Sequence, residues 1–202
     1  SLAGLQLKFV VERDDRGLTV PARGRGARWI LKLPDPRHPR VPENEAALLG
    51  WARASGIEVP AVELVDPREV HGLPDGLPTA EPALLVRRFD RGDDGTRTHL
   101  EDFAEMCIRD RDLKYDRANY ETIGKVLVAL AEGDLRAYVR RLVFMVLSGN
   151  ADLHLKNWSV QYLGPFGRDV RLAPAYDLVP TVVYPGTAAA LDRHLGTLRL
   201  GR

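Results

Sequence analysis

The chain has a single cysteine, no long apolar run and almost no net charge, and each absence excludes a class of protein. Cys107 is the only cysteine among 202 residues, so no disulfide framework can form within the chain, and a reducing, cytoplasmic compartment fits. The longest fully apolar run, residues 142–147, is far too short to cross a bilayer, and no signal peptide opens the chain, so no membrane association is expected. A net charge of +1 gives no field that would indicate direct nucleic-acid binding.

What is present is the composition of an ordinary globular protein, long enough for one large or two small domains. The arginines between residues 13 and 40 make the amino-terminal part locally basic, and both a solvated surface and contact with an anion such as a nucleotide fit them. The chain starts at Ser1 inside what reads as a strand–turn motif and ends at Arg202 without a terminal element. We therefore expect a fragment of a longer protein.

The hydrophobic pattern divides the chain into two parts, residues 1–90 and 91–202. The first part predicts a sheet with one helix: strands over 5–12, 28–33, 57–65 and 82–89, a proline-rich loop over 34–42, and a helix over 43–55 ended by Gly56. The second part predicts mainly helices. A capping box at residues 98–101 indicates one helix start, and helical periodicity covers 120–132 and 134–148. In the last helix the predicted buried face consists of Leu135, Tyr138, Val139, Leu142, Val143 and Val146. A sheet-rich part followed by a helical part predicts an α+β, two-lobed fold.

The richest motif is Gly-Asn-Ala-Asp-Leu-His-Leu-Lys-Asn at residues 149–157. Asp152 and Asn157 are five positions apart, which is the spacing in protein kinases between the aspartate that accepts the substrate hydroxyl proton and an asparagine that binds magnesium. The spacing alone arises often by chance, but clustered polar residues between an apolar helix and a strand need a reason. His154 lacks a third close ligand for zinc.

Three further features would complete a phosphoryl-transfer site. Lys32 ends an apolar strand, as the phosphate-binding lysine of kinases does, and Glu45 or Glu43 could fix it by an ion pair. Asp177 could join Asn157 as an oxygen ligand of magnesium. Gly4 lies in a turn before a strand, where backbone N–H groups can approach phosphate. Each also has an ordinary alternative: Lys32 could lie on the surface, and Asp177 could be a turn residue.

These motifs together resemble the HipA-like serine/threonine kinases, the toxin half of bacterial toxin–antitoxin pairs. The resemblance runs from Ser1 to about Val179 and is carried by residues 1–8, 29–32, 44–45, 88–91, 149–157 and 174–177. It implies a kinase-like bilobal fold, use of ATP with magnesium, transfer of the γ-phosphate to a protein serine or threonine, and a DNA-binding, HipB-like antitoxin as partner.

The resemblance also implies residue roles. Asp152 is similar to the proton acceptor, Lys32 to the phosphate-binding lysine, and Asn157 and Asp177 to the magnesium ligands. Ser1 matches a loop serine whose autophosphorylation switches such kinases off, since a new dianion would repel the ATP phosphates. The nucleotide-contacting segments would be Ala3, Gly4, Leu5, Gln6, Leu7 and Lys8, the hinge residues Arg87, Arg88 and Phe89, and His154, Leu155, Lys156, Asn157, Tyr176 and Asp177.

Some features depart from the family, and two other functions stay open. Sequence that precedes Ser1 and helices that follow Asp177 in the family are missing, residues 106–111 do not match the usual turn, and Arg87 stands where glutamate is common. Cys107 is assigned no role. A small-molecule phosphotransferase of the aminoglycoside type shares the Asp152–Asn157 spacing, and a catalytically inactive, antitoxin-binding fragment would need only the fold.

Overall fold

The computed structural model describes residues 6–15, 17–22, 26–107, 120–150 and 155–184. The first part contains strands β1 (Lys8–Asp14), β2 (Gly17–Thr19) and β3 (Trp29–Lys32), helix α1 (Val41–Ala54), and strands β4 (Val62–Val65), β5 (Val70–His71) and β6 (Ala83–Arg87). The second part contains β7 (His99–Asp102), α2 (Phe103–Cys107), α3 (Tyr120–Leu130), α4 (Leu135–Leu147), β8 (Ser159–Leu163) and β9 (Asp169–Leu172). Short 3₁₀ turns lie at Leu155–Asn157 and Thr181–Val183, among others.

The larger sheet has six strands in the order β4-β6-β3-β1-β2-β5. Its pairs are antiparallel except β2 with β5, which is parallel. Side chains alternate between the two faces of each strand. On β6, Leu84 and Val86 therefore join the core that includes α1 and the helical part, whereas Ala83 and Leu85 join a smaller core on the opposite face.

Helix α1 begins and ends with recognisable signals. Pro42 lies in its first turn, where the missing N–H is not needed, so the helix starts two residues before the predicted Glu43 and Pro42 does not belong to the loop. At the other end, Gly56 has φ +75°, its N–H donates to the carbonyl of Arg53, and the N–H of Ile57 donates to the carbonyl of Ala52. This pair of bonds is the Schellman motif, and Gly56 ends the helix as predicted.

The second part is built on the three-stranded antiparallel sheet β7-β8-β9. Phe103, Ile123, Leu127, Met145, Trp158 and Leu178 are fully buried and fill the space between this sheet, the helices and α1. The α+β architecture agrees with the prediction, and the proposed division at residue 90 stays a prediction. In the described part of the chain, no helix is long and apolar enough to span a membrane.

The predicted helix start at Thr98 is wrong. Residues 99–102 pair with β8 as strand β7, and the Tyr162 hydroxyl donates to the Glu101 carboxylate at 2.6 Å. The helix starts later, because the Asp102 carboxylate accepts the backbone N–H of Glu105 at 2.8 Å and so caps α2. Strand pairing has outweighed the local capping pattern.

The predicted strand over residues 57–65 is longer than the observed one. The buried face of α4 also differs from the predicted face, because it is rotated about the helix axis. Only Val62–Val65 pairs as a strand, since Ile57 completes the end of α1 and Pro60 has no N–H to donate. On α4, Val139 and Val143 are half exposed, and the buried residues are Tyr138, Arg141, Phe144 and Met145.

Candidate active site

Lys32 lies where the larger sheet meets the helical part. It ends β3 and pairs directly with Leu84 on one side and with Lys8 on the other, so all three side chains leave the same face of the sheet. This is the face covered by α1, and the Lys32 side chain is only 5% exposed. Strand alternation thus directs the lysine away from solvent and toward the helix that carries Glu45.

Lys32 is held between two carboxylates. Its Nζ lies 2.5 Å from Oε1 of Glu45, which is 2% exposed, and also contacts Oδ1 of Asp177. The other oxygen of Asp177 accepts from Nζ of Lys8 at 3.2 Å. Four charged side chains from β1, β3, α1 and the segment after β9 therefore form one connected cluster, which we call the lysine–carboxylate cluster.

The pKa values of the two carboxylates in this cluster are shifted in opposite directions. Burial acts to raise the pKa of Asp177, but the ammonium groups of Lys32 and Lys8 outweigh it and hold this pKa below its usual value. Burial also raises the pKa of Glu45, and there it prevails over the Lys32 ammonium, because the Asp177 charge adds to the rise. The pKa of Lys32 is raised, since Asp177 and Glu45 overcome the effect of its burial. The low pKa of Asp177 keeps this carboxylate ionised at neutral pH.

Glu45, and not Glu43, is the partner of Lys32. Glu43 lies on the same helix but faces away from the cluster, where its carboxylate lies 3.5 Å from Arg40. The sequence left both open because they are two residues apart in the first turns of the helix, on different sides of its axis.

Asp177 has a backbone conformation that few non-glycine residues adopt. Its φ is +52°, in the left-handed region, where aspartate is among the better tolerated residues. The preceding segment is fixed by two backbone bonds: the N–H of Ala173 donates to Ser159 at 2.9 Å, and that of Ala175 donates to Glu58 at 2.7 Å. An uncommon backbone conformation in a well-anchored segment is typical of functional positions.

The predicted second metal ligand, Asn157, ends the 3₁₀ turn before β8. Asn157 is 4% exposed, and the backbone carbonyl of the neighbouring Lys156 accepts from the Tyr176 hydroxyl at 2.9 Å. The same hydroxyl lies 2.5 Å from Oγ of Ser159. Tyr176 thereby ties the turn that carries Asn157 to the segment that carries Asp177. An amide oxygen and an ionised carboxylate are the hard donors that magnesium prefers, so these side chains fit that ion.

The predicted adenine hinge follows the end of β6. The N–H of Arg87 donates to the carbonyl of Ala61, and that of Arg88 donates to the carbonyl of Arg28, each at 2.8 Å. Both backbone N–H groups are already hydrogen-bonded within the protein. An adenine base at the hinge would therefore have to contact Phe89 and backbone carbonyl groups. The Phe89 ring lies 5.9 Å from that of Tyr176, which places the hinge beside the Asp177 segment.

Several predicted site residues lie outside the described part of the chain. These are Asp152, His154, the loop serine Ser1, and Ala3, Gly4 and Leu5. Gln6 is described, and its side-chain amide donates to the carbonyl of Leu33 at 3.0 Å. Leu7 precedes β1 and is about half exposed, and Leu155 opens the turn that ends at Asn157.

Arg141 is a residue of this region that sequence reasoning missed. It is 2% exposed, and its guanidinium group donates to the backbone carbonyl of Asn157 at 2.6 Å. A signal was present in the sequence, since Arg141 falls in register with Tyr138, Phe144 and Met145 at helical spacing. The predicted face included apolar residues only and so left Arg141 out, whereas Arg141 is buried and makes a polar contact.

A cavity of about 310 Å³ lies on another side of Arg141. It is bordered by the end of α1, the start of α4 and strands β8 and β9, and includes Asp134, Gln161 and Arg171. Of the predicted site residues that the structure describes, none borders it. The lysine–carboxylate cluster, and not this cavity, therefore coincides with the predicted chemistry.

Two solved structures show the same fold. HipA in the Shewanella oneidensis MR-1 complex of HipA, HipB and operator DNA superposes with a TM-score of 0.65 at 24% identity, covering 92% of this chain and 45% of that one. The Helicobacter pylori proinflammatory kinase CtkA superposes with a TM-score of 0.53 at 15% identity, covering 74% and 49%. At such identities the likeness shows the fold, which is kinase-like.

Sequence comparison then gives the family. The profile of the HipA-like C-terminal domain matches residues 1–200, and this chain belongs to that family, as the resemblance predicted. Two relatives from Sinorhizobium fredii are named "Putative kinase Y4dM", 47% identical over 189 residues, and "Putative kinase Y4mE", 33% identical over 209 residues. The match covers 91% and 97% of this chain, but 46% of each relative, so the chain spans about half the length of these curated relatives.

Proposed function

We propose that this chain carries the catalytic site of an ATP- and magnesium-dependent protein serine/threonine kinase of the HipA-like type. One observation carries the proposal: the Lys32 ammonium group is buried between the carboxylates of Glu45 and Asp177. Two carboxylates for one buried cation leave an excess of negative charge, which Lys8 balances from the more exposed side. A nucleotide complexed with a divalent cation matches this arrangement, because it offers a cation to Asp177 and phosphate oxygens to the lysines.

The roles of the described residues follow from their charge and burial. Lys32 would contact the phosphates, and Glu45 would hold its ammonium group in place from α1. Asp177, together with the Asn157 side chain, would hold Mg²⁺, which would supply positive charge to offset that of the phosphates. The low pKa of Asp177 keeps it ionised at neutral pH, as a metal ligand must be.

The remaining roles rest on the sequence motif. Asp152 would accept the proton of the attacking hydroxyl group, which requires a carboxylate within hydrogen-bond reach of that group. The loop from Ala3 to Lys8 would cover the phosphates, and Ser1 at its start would be an autophosphorylation site. A dianion there would compete with the ATP phosphates for the same lysines and so turn the enzyme off.

A partner protein is also proposed. The related HipA fold was solved together with HipB and operator DNA. We infer that the full-length form of this protein likewise binds an antitoxin that itself contacts DNA.

The first experiment is the melting temperature of the full-length protein with ATP, with Mg²⁺, and with both. Mg·ATP at about 100 times its dissociation constant should stabilise the protein by roughly 2.7 kcal/mol, and either component alone by much less. Absence of any shift would favour an inactive, antitoxin-binding protein and contradict the proposal.

The second experiment follows phosphate from labelled ATP. The wild-type protein should label protein serine or threonine, and Asp152→Asn should abolish labelling, whereas Asp75→Asn, a change in an exposed loop, should leave it unaltered. Labelling of an aminoglycoside in place of protein would identify a small-molecule phosphotransferase. Equal protein labelling by Asp152→Asn would show that Asp152 is not the base.

A further inference from the structure

Two segments that carry the proposed metal ligands meet at one buried arginine. The first is the turn Leu155–Asn157, and the second is the stretch from Ala173 to Asp177. Arg141, on helix α4, donates from Nη2 to the carbonyl of Asn157 at 2.6 Å and from Nη1 to the carbonyl of Ala173 at 3.3 Å. One rigid guanidinium group therefore spans both segments.

The guanidinium plane is also held by aromatic rings. Its central carbon lies 4.3 Å from the ring centroid of Trp158, which follows Asn157, and 5.8 Å from that of Tyr176, which precedes Asp177. Each of the two segments thus contributes one carbonyl and one ring to the same cation. Such contacts fix both the position and the orientation of the arginine, and through it the spacing of the two segments.

In the part of the chain that the structure describes, Arg141 contacts carbonyl groups and aromatic rings and no carboxylate. Within the described residues no carboxylate pairs with Arg141, and its Nε finds no hydrogen-bond acceptor there. Burial lowers its pKa to about 10, against the opposing influence of Tyr176 and Tyr138. A buried cation without a carboxylate is a stability cost, so a purely structural role is better served by an apolar residue such as those beside it on α4.

Building on the proposed function, we propose that Arg141 is a positioning residue that sets the distance between the metal ligands Asn157 and Asp177. It acts through the backbone of Asn157 and Ala173 and touches neither nucleotide nor metal. Residues that orient metal ligands in this way affect metal affinity or activity by about 10- to 100-fold when they are changed.

The test uses two variants of the full-length protein and one matched control. Arg141→Lys keeps the charge but lacks the planar fork that reaches two carbonyls at once. Arg141→Gln removes the buried charge and can donate to one carbonyl, so it should fold even if Arg141→Lys does not. Arg136→Lys makes the same chemical change at an exposed position on the same helix.

The readout is the Mg²⁺ concentration that gives half of the ATP-dependent melting shift. Both Arg141 variants should need about 10-fold more Mg²⁺ or more, while the apparent affinity for ATP without metal stays near that of the wild type. Arg136→Lys should match the wild type in both quantities. Comparing the Mg²⁺ requirement with the melting temperature distinguishes a positioning role from a purely structural one. A purely structural role would lower the melting temperature of the variants without changing the Mg²⁺ requirement.

Failure of this inference is distinguishable from failure of the proposed function. A normal wild-type response with an unchanged Mg²⁺ requirement in either folded variant would overturn the positioning role alone. A wild-type protein that shows no Mg·ATP-dependent shift would overturn the proposed function and this inference with it.

Discussion

Replacing Lys32 by methionine should destabilise the full-length protein strongly, and more so as the pH rises. The change removes the only buried cation of the lysine–carboxylate cluster while the buried Glu45 and the neighbouring Asp177 remain. Removing one partner of a buried ion pair typically costs 3–5 kcal/mol at roughly neutral pH. For a cooperative unit of about 200 residues, that corresponds to a drop in melting temperature of roughly 6–20 °C.

The pH dependence comes from Glu45. Lys8 still faces Asp177 in the variant, so the uncompensated burial falls on Glu45, whose pKa is already raised and should rise further. A carboxyl group with a higher pKa in the folded state contributes stability that is fully present below its unfolded pKa, about 4.3, and is lost as the pH rises through its folded pKa. The deficit of Lys32→Met relative to wild type should therefore be smaller at pH 5 than at pH 8.

The assay is urea unfolding of both proteins at pH 5 and pH 8, with two controls. Lys8→Met removes the other lysine of the cluster, but its side chain is 42% exposed, so it should cost at most about 1 kcal/mol. Adding Glu45→Gln to Lys32→Met removes the stranded charge and should restore roughly 1–3 kcal/mol. A deficit that is equal at both pH values, together with no restoration by Glu45→Gln, would refute the reasoning.

Two further predictions concern the elements that lead to the site. Gly149→Ala should destabilise the protein by at least about 2 kcal/mol, because Gly149 has φ +71° and a Cβ there would lie 2.5 Å from Cγ2 of Val182. Gly50→Ala inside α1 should be neutral or stabilising, because nothing lies within 4 Å of its Cβ position. Thermal unfolding of both variants tests this prediction. Asp102→Ala should cost about 1 kcal/mol because it removes the cap of α2, and Thr98→Ala should change the free energy of unfolding by less than about 0.5 kcal/mol. A larger loss of stability for Thr98→Ala than for Asp102→Ala would contradict this assignment and favour the helix start that the sequence predicted at Thr98.

The sequence predicts the elements that depend on short-range patterns. Gly56 marks the end of α1 because only a residue that tolerates positive φ can close a Schellman motif, and this requirement is local. The direction of the Lys32 side chain can be predicted in the same way, because alternation along a strand decides which face of the sheet each side chain occupies once the strand is assigned. The order of loop, lysine, helix glutamate, hinge strand, base and two metal ligands along the chain predicts a phosphoryl-transfer site, and that function stays a prediction.

What the sequence did not predict depends on long-range contacts. Residues 98–101 form a valid capping pattern, and only their pairing with β8, far along the chain, makes them a strand. The inner face of α4 was placed by hydrophobicity, which counts Val139 and Val143 and rejects Arg141, although Arg141 is the buried one. Its acceptors are the carbonyls of Asn157 and Ala173, 16 and 32 residues away, and no local pattern encodes them.

If the proposed function holds, the lysine–carboxylate cluster also explains how the site is stable without its ligand and can still bind it. Lys8 and Lys32 together balance Glu45 and Asp177, so the cluster carries no net charge when all four groups are ionised. Under the proposed function, Asp177 would exchange its contacts with the lysines for a contact with Mg²⁺, and the lysines would contact phosphate oxygens in place of Asp177. Each charged group then exchanges one partner for another of the same sign, which avoids the cost of leaving a buried charge unpaired. Under the same proposal Glu45 would keep its contact with Lys32, so that its position on α1 would fix the lysine with and without the nucleotide.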